Sequence, residues 1–362
     1  MKPRQGVSSE VPMPDLINLY DLGRDELADL IMGWGEPRYR ADQVWQWLYG
    51  HKVTLIDEMH NLPRSLRERL AAETCLGGLE LVREMRSSDG ETRKYALRLS
   101  DGQIIESVLM EYAGVRRTAC ISTQAGCAMG CVFCATGQMG FARHLSAGEI
   151  VEQVLYIARV LEADGERLSN VVLMGMGEPF HNYEATLAAI RRMIDPDGLE
   201  IGQRHITVST VGLVPAIRRF AGEGLQVRLA ISLHAATDEE RSALLPVNRR
   251  YPIAEVMAAV RDYIARTGRR VTFEWALIDG QNDTPEQAHA LGKLLAGLLC
   301  HVNLIPLNPT SGYTGGPASA GRIERFVRIL ESYHVPATVR VRRGIDIHAG
   351  CGQLKAAVMA SK

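Results

Sequence analysis

The sequence predicts an α/β fold in which six parallel strands and their connecting helices form an incomplete barrel. Three observations support this fold. Strand-like and helix-like runs alternate after residue 118, and the connections have the length of right-handed helical crossovers. The rest of the 362-residue chain is also too short for the eight strand–helix units of a closed barrel. A helical accessory module and a small β extension precede this core.

The helical module is assigned residues 1–78. Apolar residues recur at helical spacing over 39–49, and Leu62-Pro63 predicts a break before a second helical run over 65–72. Small modules of this kind often hold a substrate, but the pattern fits a packing subdomain equally well.

The β extension is assigned residues 79–113. Two short runs with alternating apolar residues flank Asp101-Gly102, and Asp-Gly between such runs is typical of a hairpin turn. We therefore expect a small antiparallel sheet before the core.

The core is assigned residues 114–350, and a C-terminal segment, 351–362, begins at Cys351. Ser146 and Glu149 form a capping box that predicts a helix start, and Thr237 predicts another. The six strands are predicted at 119–123, 170–174, 205–210, 226–233, 270–277 and 301–307.

Composition excludes several classes of protein. The chain is 46% hydrophobic, which argues against disorder, and its longest uncharged stretch, 294–321, contains too many polar and Pro residues for a membrane span. We find no signal-peptide pattern and expect a cytoplasmic protein. Lys and Arg number 41 against 42 Asp and Glu, so any polyanion must be met by local patches. Cys75 and Cys300 have apolar, helical surroundings that predict buried packing residues.

Three closely spaced cysteines carry the strongest chemical signal. Cys127, Cys131 and Cys134 lie in a Gly-containing loop directly after the first predicted core strand. Three thiolates can hold three irons of a four-iron cluster and leave the fourth iron free for a chelating ligand. Two alternatives are a non-catalytic iron–sulfur electron carrier, which would normally use four cysteines, and a zinc-stabilised RNA-binding module, which would need a fourth ligand.

Three further motifs accompany this loop. They are Gly175-Met-Gly-Glu178-Pro, Ser232-Leu-His234 and Asp346-Ile-His-Ala-Gly-Cys351-Gly-Gln-Leu. With the cysteine loop, they make the chain resemble the radical S-adenosylmethionine (radical SAM) superfamily and, within it, the bacterial RNA adenine-C2 methyltransferases of the RlmN type. The resemblance covers nearly the whole chain, including the helical module.

The resemblance implies a radical SAM barrel that methylates C2 of adenine in 23S rRNA and tRNA. It implies one [4Fe-4S] cluster and two molecules of S-adenosylmethionine per turnover. An electron donor such as flavodoxin or ferredoxin would supply the reducing electron, and we expect a monomer. An adenine-C8 methyltransferase of the related resistance family is the nearest alternative, although Pro179 and Pro306 look more like the C2 enzymes.

The resemblance also assigns residues to the cofactors. The cluster ligands are Cys127, Cys131 and Cys134. The S-adenosylmethionine pocket comprises residues at successive strand ends, each of which alone would pass for a turn or core residue: Gly177, Glu178, Ser209, Ser232, Leu233, His234 and Asn308.

Two further cysteines and one carboxylate receive catalytic roles from the resemblance. Cys351 would take a methyl group from S-adenosylmethionine, and this carbon would then be joined to adenine C2 by radical chemistry. Cys120 would attack the Cys351 sulfur and leave a transient disulfide. Glu106 would accept the C2 proton, with Glu111 as the nearby competitor.

Contacts with RNA are harder to predict. Local basic clusters at 249–250, 269–270 and 340–343 could meet phosphates, as could Arg38 and Arg40 beside Tyr39. The tail departs from the commoner family pattern at His348-Ala-Gly350 but keeps Cys351 and the Gly-Gln-Leu that follows it.

Overall fold

A ten-stranded sheet forms the centre of the computed structural model, which describes residues 16–112 and 116–355. The segments 1–15, 113–115 and 356–362 lie outside the described residues. The predicted domain boundary at 113/114 and most of the C-terminal segment fall there. No helix in the described ranges is long and apolar enough to cross a membrane.

The helical module comes first in the chain. It contains β1 (Ile17–Asn18), α1 (Arg24–Gly33), α2 (Tyr39–Trp45), α3 (Arg64–Glu73) and β2 (Thr74–Cys75), and the two short strands pair in parallel. A wider helical turn over Gln46–Gly50 extends α2. Both predicted helical runs are therefore present, with α3 starting directly after Pro63. Cys75 lies in a strand and is only half-buried, so its predicted helical setting is wrong.

The β extension continues the central sheet. Its strands are β3 (Glu80–Arg86), β4 (Thr92–Arg98) and β5 (Ile104–Tyr112), which pair in antiparallel order. The Asp101-Gly102 turn joins β4 to β5, and Gly102 adopts a φ of 85° there. Because β5 pairs with the first core strand, extension and barrel share one continuous sheet.

Parallel strands and outer helices make up the core. The strands are β6 (Arg116–Cys120), β7 (Gln124–Gly126), β8 (Phe141–His144), β9 (Asn170–Leu173), β10 (Ile206–Thr210), β11 (Arg228–Ser232), β12 (Val271–Leu277), β13 (Cys300–Pro306) and β14 (Ala337–Val339). The helices are α4 (Ala135–Gln138), α5 (Ala147–Ala163), α6 (Tyr183–Ile194), α7 (Val214–Phe220), α8 (Asp238–Leu244), α9 (Ile253–Thr267), α10 (Pro285–Leu295) and α11 (Ala320–Ser332).

The order of the strands gives an open barrel. β6, β9, β10, β11, β12, β13 and β14 are neighbours in that order and all run parallel, while β7 and β8 form a separate hairpin. The edges β3 and β14 do not pair, so the predicted incomplete barrel is confirmed. β14 is a seventh parallel strand that was not predicted, because three residues give too short a pattern. Cys300 is buried but begins β13, so its predicted helical setting is also wrong.

The first core strand is shifted towards the N-terminus relative to its prediction. It covers 116–120 rather than 119–123, and after Cys120 backbone bonds such as that from the Ile121 amide to the Val172 carbonyl are joined by bonds of the Ser122 side chain. The Ser122 hydroxyl donates to the Glu106 carbonyl at 2.6 Å and accepts from the Met176 amide at 2.9 Å. The charged residues at 116 and 117 had been left out of the predicted strand.

The helical module is fixed to the barrel by polar contacts. Asp21 accepts the Gly148 amide at 3.0 Å, and its carbonyl accepts Arg192 at 2.9 Å. Arg24 forms ion pairs with Asp195 and Asp197, which follow α6. The module therefore has a defined place beside α5 and α6.

The capping box at the start of α5 gives a stability prediction. The Ser146 hydroxyl accepts the Glu149 amide at 3.1 Å, and the Glu149 carboxylate accepts the Ser146 amide at 2.9 Å. Ser146→Ala should lower the free energy of unfolding by about 1 kcal/mol, measured by urea denaturation. Ser319→Ala is the matched control, since Ser319 precedes α11 without a side-chain cap bond. Equal losses in the two variants would contradict the prediction.

Candidate active site

The three-cysteine loop lies between the strands of the β7–β8 hairpin. The Cys127 amide donates to the Gly140 carbonyl at 2.8 Å, which ties the start of the loop to the residues before β8. Cys127 and Cys131 are buried and Cys134 is half-buried. All three line one cavity at the carboxyl ends of the parallel strands, which we call the main cavity. Burial raises the pKa of Cys127 to about 12 and that of Cys131 well above its ordinary value, so these thiols would ionise only beside a positive charge.

Successive strand ends supply the remaining wall of the main cavity. Six of the seven residues predicted for the cofactor pocket line it: Gly177, Glu178, Ser209, Ser232, His234 and Asn308. The Leu233 side chain is fully buried in the apolar core instead. The Ser209 and Ser232 hydroxyls lie 3.4 Å apart on neighbouring strands. The parallel register thus gathers residues that are far apart in the sequence.

Glu178 is a buried carboxylate with two backbone partners. Its Oε1 accepts the Phe180 amide at 3.0 Å, and its Oε2 accepts the Val211 amide at 2.8 Å. Burial raises its pKa to about 7, against the effect of these hydrogen bonds. A carboxylate has acceptor capacity for further donors, and this one faces the main cavity.

His234 is held in one tautomer. Its Nδ1 accepts the Ala276 amide at 2.9 Å, which leaves the ring proton on Nε2. Burial lowers its pKa to about 3, so the ring is neutral near pH 7. The Phe133 ring packs against it edge to face at 5.0 Å. His234 therefore presents a neutral imidazole beside the cysteine loop.

The Cys351 turn is docked into the same cavity. Asn308 Nδ2 donates to the Cys351 carbonyl at 3.1 Å, and the Ala135 amide donates to the Gly352 carbonyl at 2.7 Å. The Thr136 hydroxyl donates to the Leu354 carbonyl at 2.7 Å. The C-terminal segment is thereby attached to the helix that follows the cysteine loop.

Cys351 also lines a second, smaller cavity together with Cys120. We call this the thiol cavity, and Arg340 and Met174 contribute to its wall. Cys351 is partly exposed to solvent, but desolvation by the protein around its thiol raises its pKa, and the Arg340 guanidinium partly offsets that rise. Burial raises the pKa of Cys120 as well, and both cysteines are free thiols in this structure. Cys351 therefore faces both the cluster cysteines and Cys120.

Glu106 lies in a third cavity and not beside Cys351. It pairs with Lys94 at 3.0 Å inside the sheet, where both side chains are buried. Its Oε2 accepts the Lys355 amide at 2.9 Å. Burial raises its pKa, and Lys94 opposes the rise. The turn from Gly352 to Leu354 separates this cavity from the main one. Glu111, the competitor, pairs with Arg93 and Arg117 and lines none of the three cavities.

Two important site residues were missed by sequence reasoning. Lys94 lies in a strand of alternating polar and apolar residues, where a lysine usually faces solvent. Only its buried contact with Glu106 marks it as a site residue. Arg340 was grouped with the basic cluster 340–343 as a possible phosphate contact, but it lies beside the two thiols. The one signal that the sequence offered for this place of Arg340 was its short spacing from Cys351.

Comparison with known proteins decides the family. Residues 121–291 match the Radical SAM superfamily, and residues 17–76 match the Ribosomal RNA large subunit methyltransferase N-terminal domain. A Myxococcus xanthus protein described as Dual-specificity RNA methyltransferase RlmN 1 is 56% identical over 96% of this chain and 97% of its own length. The chain belongs to the RlmN family of radical SAM RNA methyltransferases.

Other members agree with this assignment. An Opitutus terrae protein described as Probable dual-specificity RNA methyltransferase RlmN 2 is 50% identical over 94% of this chain and 87% of its own length. The crystal structure of a radical SAM methyltransferase from Sphaerobacter thermophilus superimposes with a TM-score of 0.91 at 54% identity, covering 94% of this chain and 99% of that one. The resemblance inferred from the sequence is confirmed, and the two non-enzymatic alternatives are wrong.

The main cavity fits the two groups that radical SAM enzymes use, a [4Fe-4S] cluster and S-adenosylmethionine. Three thiols are the donor set of a cluster with one open iron. Asn308 Oδ1 is buried without a hydrogen-bond partner among the described residues, as expected of an acceptor that awaits a ligand. The hydroxyls of Ser209 and Ser232 add further polar groups on the same wall.

Gly177 gives a prediction about the turn that carries Glu178. Its φ is 107°, and a Cβ there would lie 2.7 Å from the Gln124 Cβ and 2.8 Å from the Gln124 amide nitrogen. Gly177→Ala should cost about 2–5 kcal/mol in urea unfolding, because backbone strain and a clash add together. Gly224→Ala is the control, since its φ is 69° but no atom lies within 4 Å, and it should cost about 1–2 kcal/mol. Similar costs for both variants would disprove the clash.

Proposed function

We propose that this chain methylates C2 of adenine in 23S rRNA and tRNA, with Cys351 as the methyl carrier. One observation carries the proposal: Cys351 lies between the main cavity and the thiol cavity. A thiol in that place can receive a group on one side and be released from it on the other. The names of the relatives support RNA as the substrate and favour C2 over the C8 alternative.

In this proposal the main cavity holds both cofactors. Cys127, Cys131 and Cys134 would bind the cluster, and the strand-end residues around Glu178 would bind S-adenosylmethionine, with two molecules used per turnover. When bound, these groups supply a transferable methyl, a reducing electron and a hydrogen-abstracting radical. The Glu178 carboxylate would accept a hydrogen bond from the ammonium group of S-adenosylmethionine. The Asn308 side-chain oxygen would accept a hydrogen bond from a further donor. Leu233 contributes through its backbone, since its side chain is in the core.

Cys351 supplies a nucleophilic sulfur for the methyl transfer, because adenine C2 cannot act as the nucleophile. That carbon is electrophilic, so direct transfer of a methyl cation to it is unfavourable, whereas a thiolate accepts one by displacement. Arg340 favours the thiolate of Cys351 against the effect of burial. With the cofactors bound, the S-methyl carbon would lose one hydrogen atom and form a bond to adenine C2. The C2 proton would then pass to Glu106 and one electron back to the redox cofactor, which leaves a thioether link between protein and RNA.

Cys120 resolves that link. The Cys120 thiolate would attack the Cys351 sulfur and break the bond between that sulfur and the methylene carbon. The electron pair of the broken bond stays on the carbon, which takes up a proton to become the methyl group. The two sulfurs form a transient disulfide, and an external dithiol reduces it. The shared thiol cavity supports this pairing.

Glu106 accepts the C2 proton at its carboxylate. Burial raises its pKa and makes it a stronger base, and Lys94 keeps it charged. Because the turn from Gly352 to Leu354 separates Glu106 from the main cavity, we propose that the bond between Glu106 and the Lys355 amide breaks when RNA binds. The enzyme would act as a cytoplasmic monomer with flavodoxin or ferredoxin as its electron donor.

Nucleoside analysis tests the proposed reaction. The gene is expressed in a bacterial host that lacks its own enzyme, and digests of 23S rRNA and tRNA are compared by mass spectrometry with synthetic 2- and 8-methyladenosine. We expect 2-methyladenosine with the wild-type chain and with Cys75→Ala, a control outside the site. Cys351→Ala should give none. Finding 8-methyladenosine, or no methylated adenosine with the wild type, would refute the proposal.

The role of Cys120 is tested by trapping. Cys120→Ala should accumulate a protein–RNA adduct, because nothing then attacks the Cys351 sulfur. The adduct is measured as a mass increase of the purified protein after ribonuclease digestion. The double variant Cys120→Ala/Cys351→Ala should show no adduct. Normal turnover by Cys120→Ala would disprove the resolving role.

A further inference from the structure

The amino ends of the six predicted core strands carry an unusual set of side chains. Successive strand residues point to opposite faces, and Cys120, Ser232 and Glu274 mark the face that lines the cavities. Tracing that face back to the residues at, or directly before, the start of each strand gives one layer at the opposite mouth of the barrel. Its members, which we call the mouth residues, are Arg116, Asn170, His205, Arg228, Arg270 and His301.

The mouth residues contain three arginines and two histidines but no carboxylate. None of the three arginines forms an ion pair with any described acidic residue. Arg228 is close enough to Arg270, Arg269 and Arg116 for repulsion to add to the burial that lowers its pKa. Burial and Arg270 likewise lower the pKa of His301. Arg228 and Arg270 are exposed to solvent, and an anion bound beside them would relieve the repulsion.

The mouth is connected with the site of chemistry. The Arg116 guanidinium lies 4.1 Å from the centre of the Tyr112 ring, and that of Arg343 lies 4.4 Å from it. Tyr112 and Arg343 also line the thiol cavity, beside Cys120 and Cys351. With a rise of about 3.3 Å per residue, the distance from Arg116 to Cys120 is about 13 Å, which a few nucleotides can cover. A chain of contacts from Arg343 through Tyr112 to Arg116 therefore leads from the thiol cavity to the mouth. Arg343 also forms an ion pair with Glu91, so the unpaired positive charge lies at the mouth.

We propose that the mouth residues bind phosphates of the RNA strand next to the target adenine. The inference rests on the proposed function and adds where the substrate strand lies. Arginines without a carboxylate partner are suited to the phosphates of a nucleic-acid strand. The RNA named for the relatives, and the contact of Arg116 with a residue that lines the thiol cavity, favour RNA over an acidic protein.

The arrangement also explains the basic cluster at 269–270. Arg270 joins Arg228 and Arg116 at the mouth, although these residues belong to three different strands. By contrast, Arg38 pairs with Asp25, and Arg40 bonds to Gln43, so the patch in the helical module is already partnered.

The test measures RNA binding and needs no methylation. Full-length Arg228→Gln/Arg270→Gln is compared with the wild type by fluorescence anisotropy of a labelled single-stranded oligoadenylate. Salt is varied between about 50 and 200 mM. Loss of two phosphate contacts should make the slope of log K against log salt shallower by about 1.4. Arg325→Gln/Arg328→Gln removes the same charge from exposed positions of α11 and should keep the wild-type slope.

A second variant guards against a fold defect. Arg228→Lys/Arg270→Lys keeps the charge and should retain most of the wild-type slope, and the Gln variant should melt at or above the wild-type temperature because repulsion is removed. An unchanged slope in the Gln variant, or an equal change in the α11 control, would overturn the proposal. Competition by inorganic phosphate without a change of RNA slope would also overturn it, since the site would then serve a small anion. If the slope changes but the wild type forms no 2-methyladenosine, the proposal that the mouth residues bind RNA is supported and the proposed reaction is refuted.

Discussion

The parallel register of the barrel strands is the constraint on which the rest of the structure depends. Parallel strands bring their carboxyl ends to one edge, so residues from positions 177 to 308 meet the loop at 127–134 in one cavity. The same register brings the amino ends together at the other mouth, where arginines from three strands lie close to one another. Both features follow from one backbone pattern.

The C-terminal turn divides the space above the sheet. Asn308 and α4 hold it in place through backbone carbonyls, so the Cys351 thiol is placed without being a hydrogen-bond partner itself. On one side lie the cluster cysteines, and on the other lies the buried Lys94–Glu106 pair. A buried ion pair costs desolvation and needs good geometry, which the strand pair β4–β5 provides. Glu106 is therefore held rigidly in the sheet, whereas Cys351 lies on a turn that can be displaced.

Positive charge is distributed unevenly over this protein. The net charge of −1 gives no sign of a nucleic-acid partner, yet arginines concentrate on the inner face of the open barrel. Elsewhere, many arginines pair with nearby carboxylates on the surface, as Arg219 does with Glu184. Because carboxylates elsewhere cancel the charge of these arginines in the net charge, their local excess is visible only in the folded structure.

The sequence was enough to predict the incomplete barrel, the cysteine loop, the family and seven pocket residues, six of which line the main cavity, because strand periodicity and short motifs are local. It missed β14, placed β6 three residues too late, and put Cys75 and Cys300 in helices, since short strands and their ends depend on neighbouring chains. Only the tertiary structure decided that Leu233 points into the core, that Arg340 faces two thiols, and that Glu106 is apart from Cys351. Those facts depend on which face of a strand meets which cavity, and this is fixed by long-range packing that no local pattern encodes.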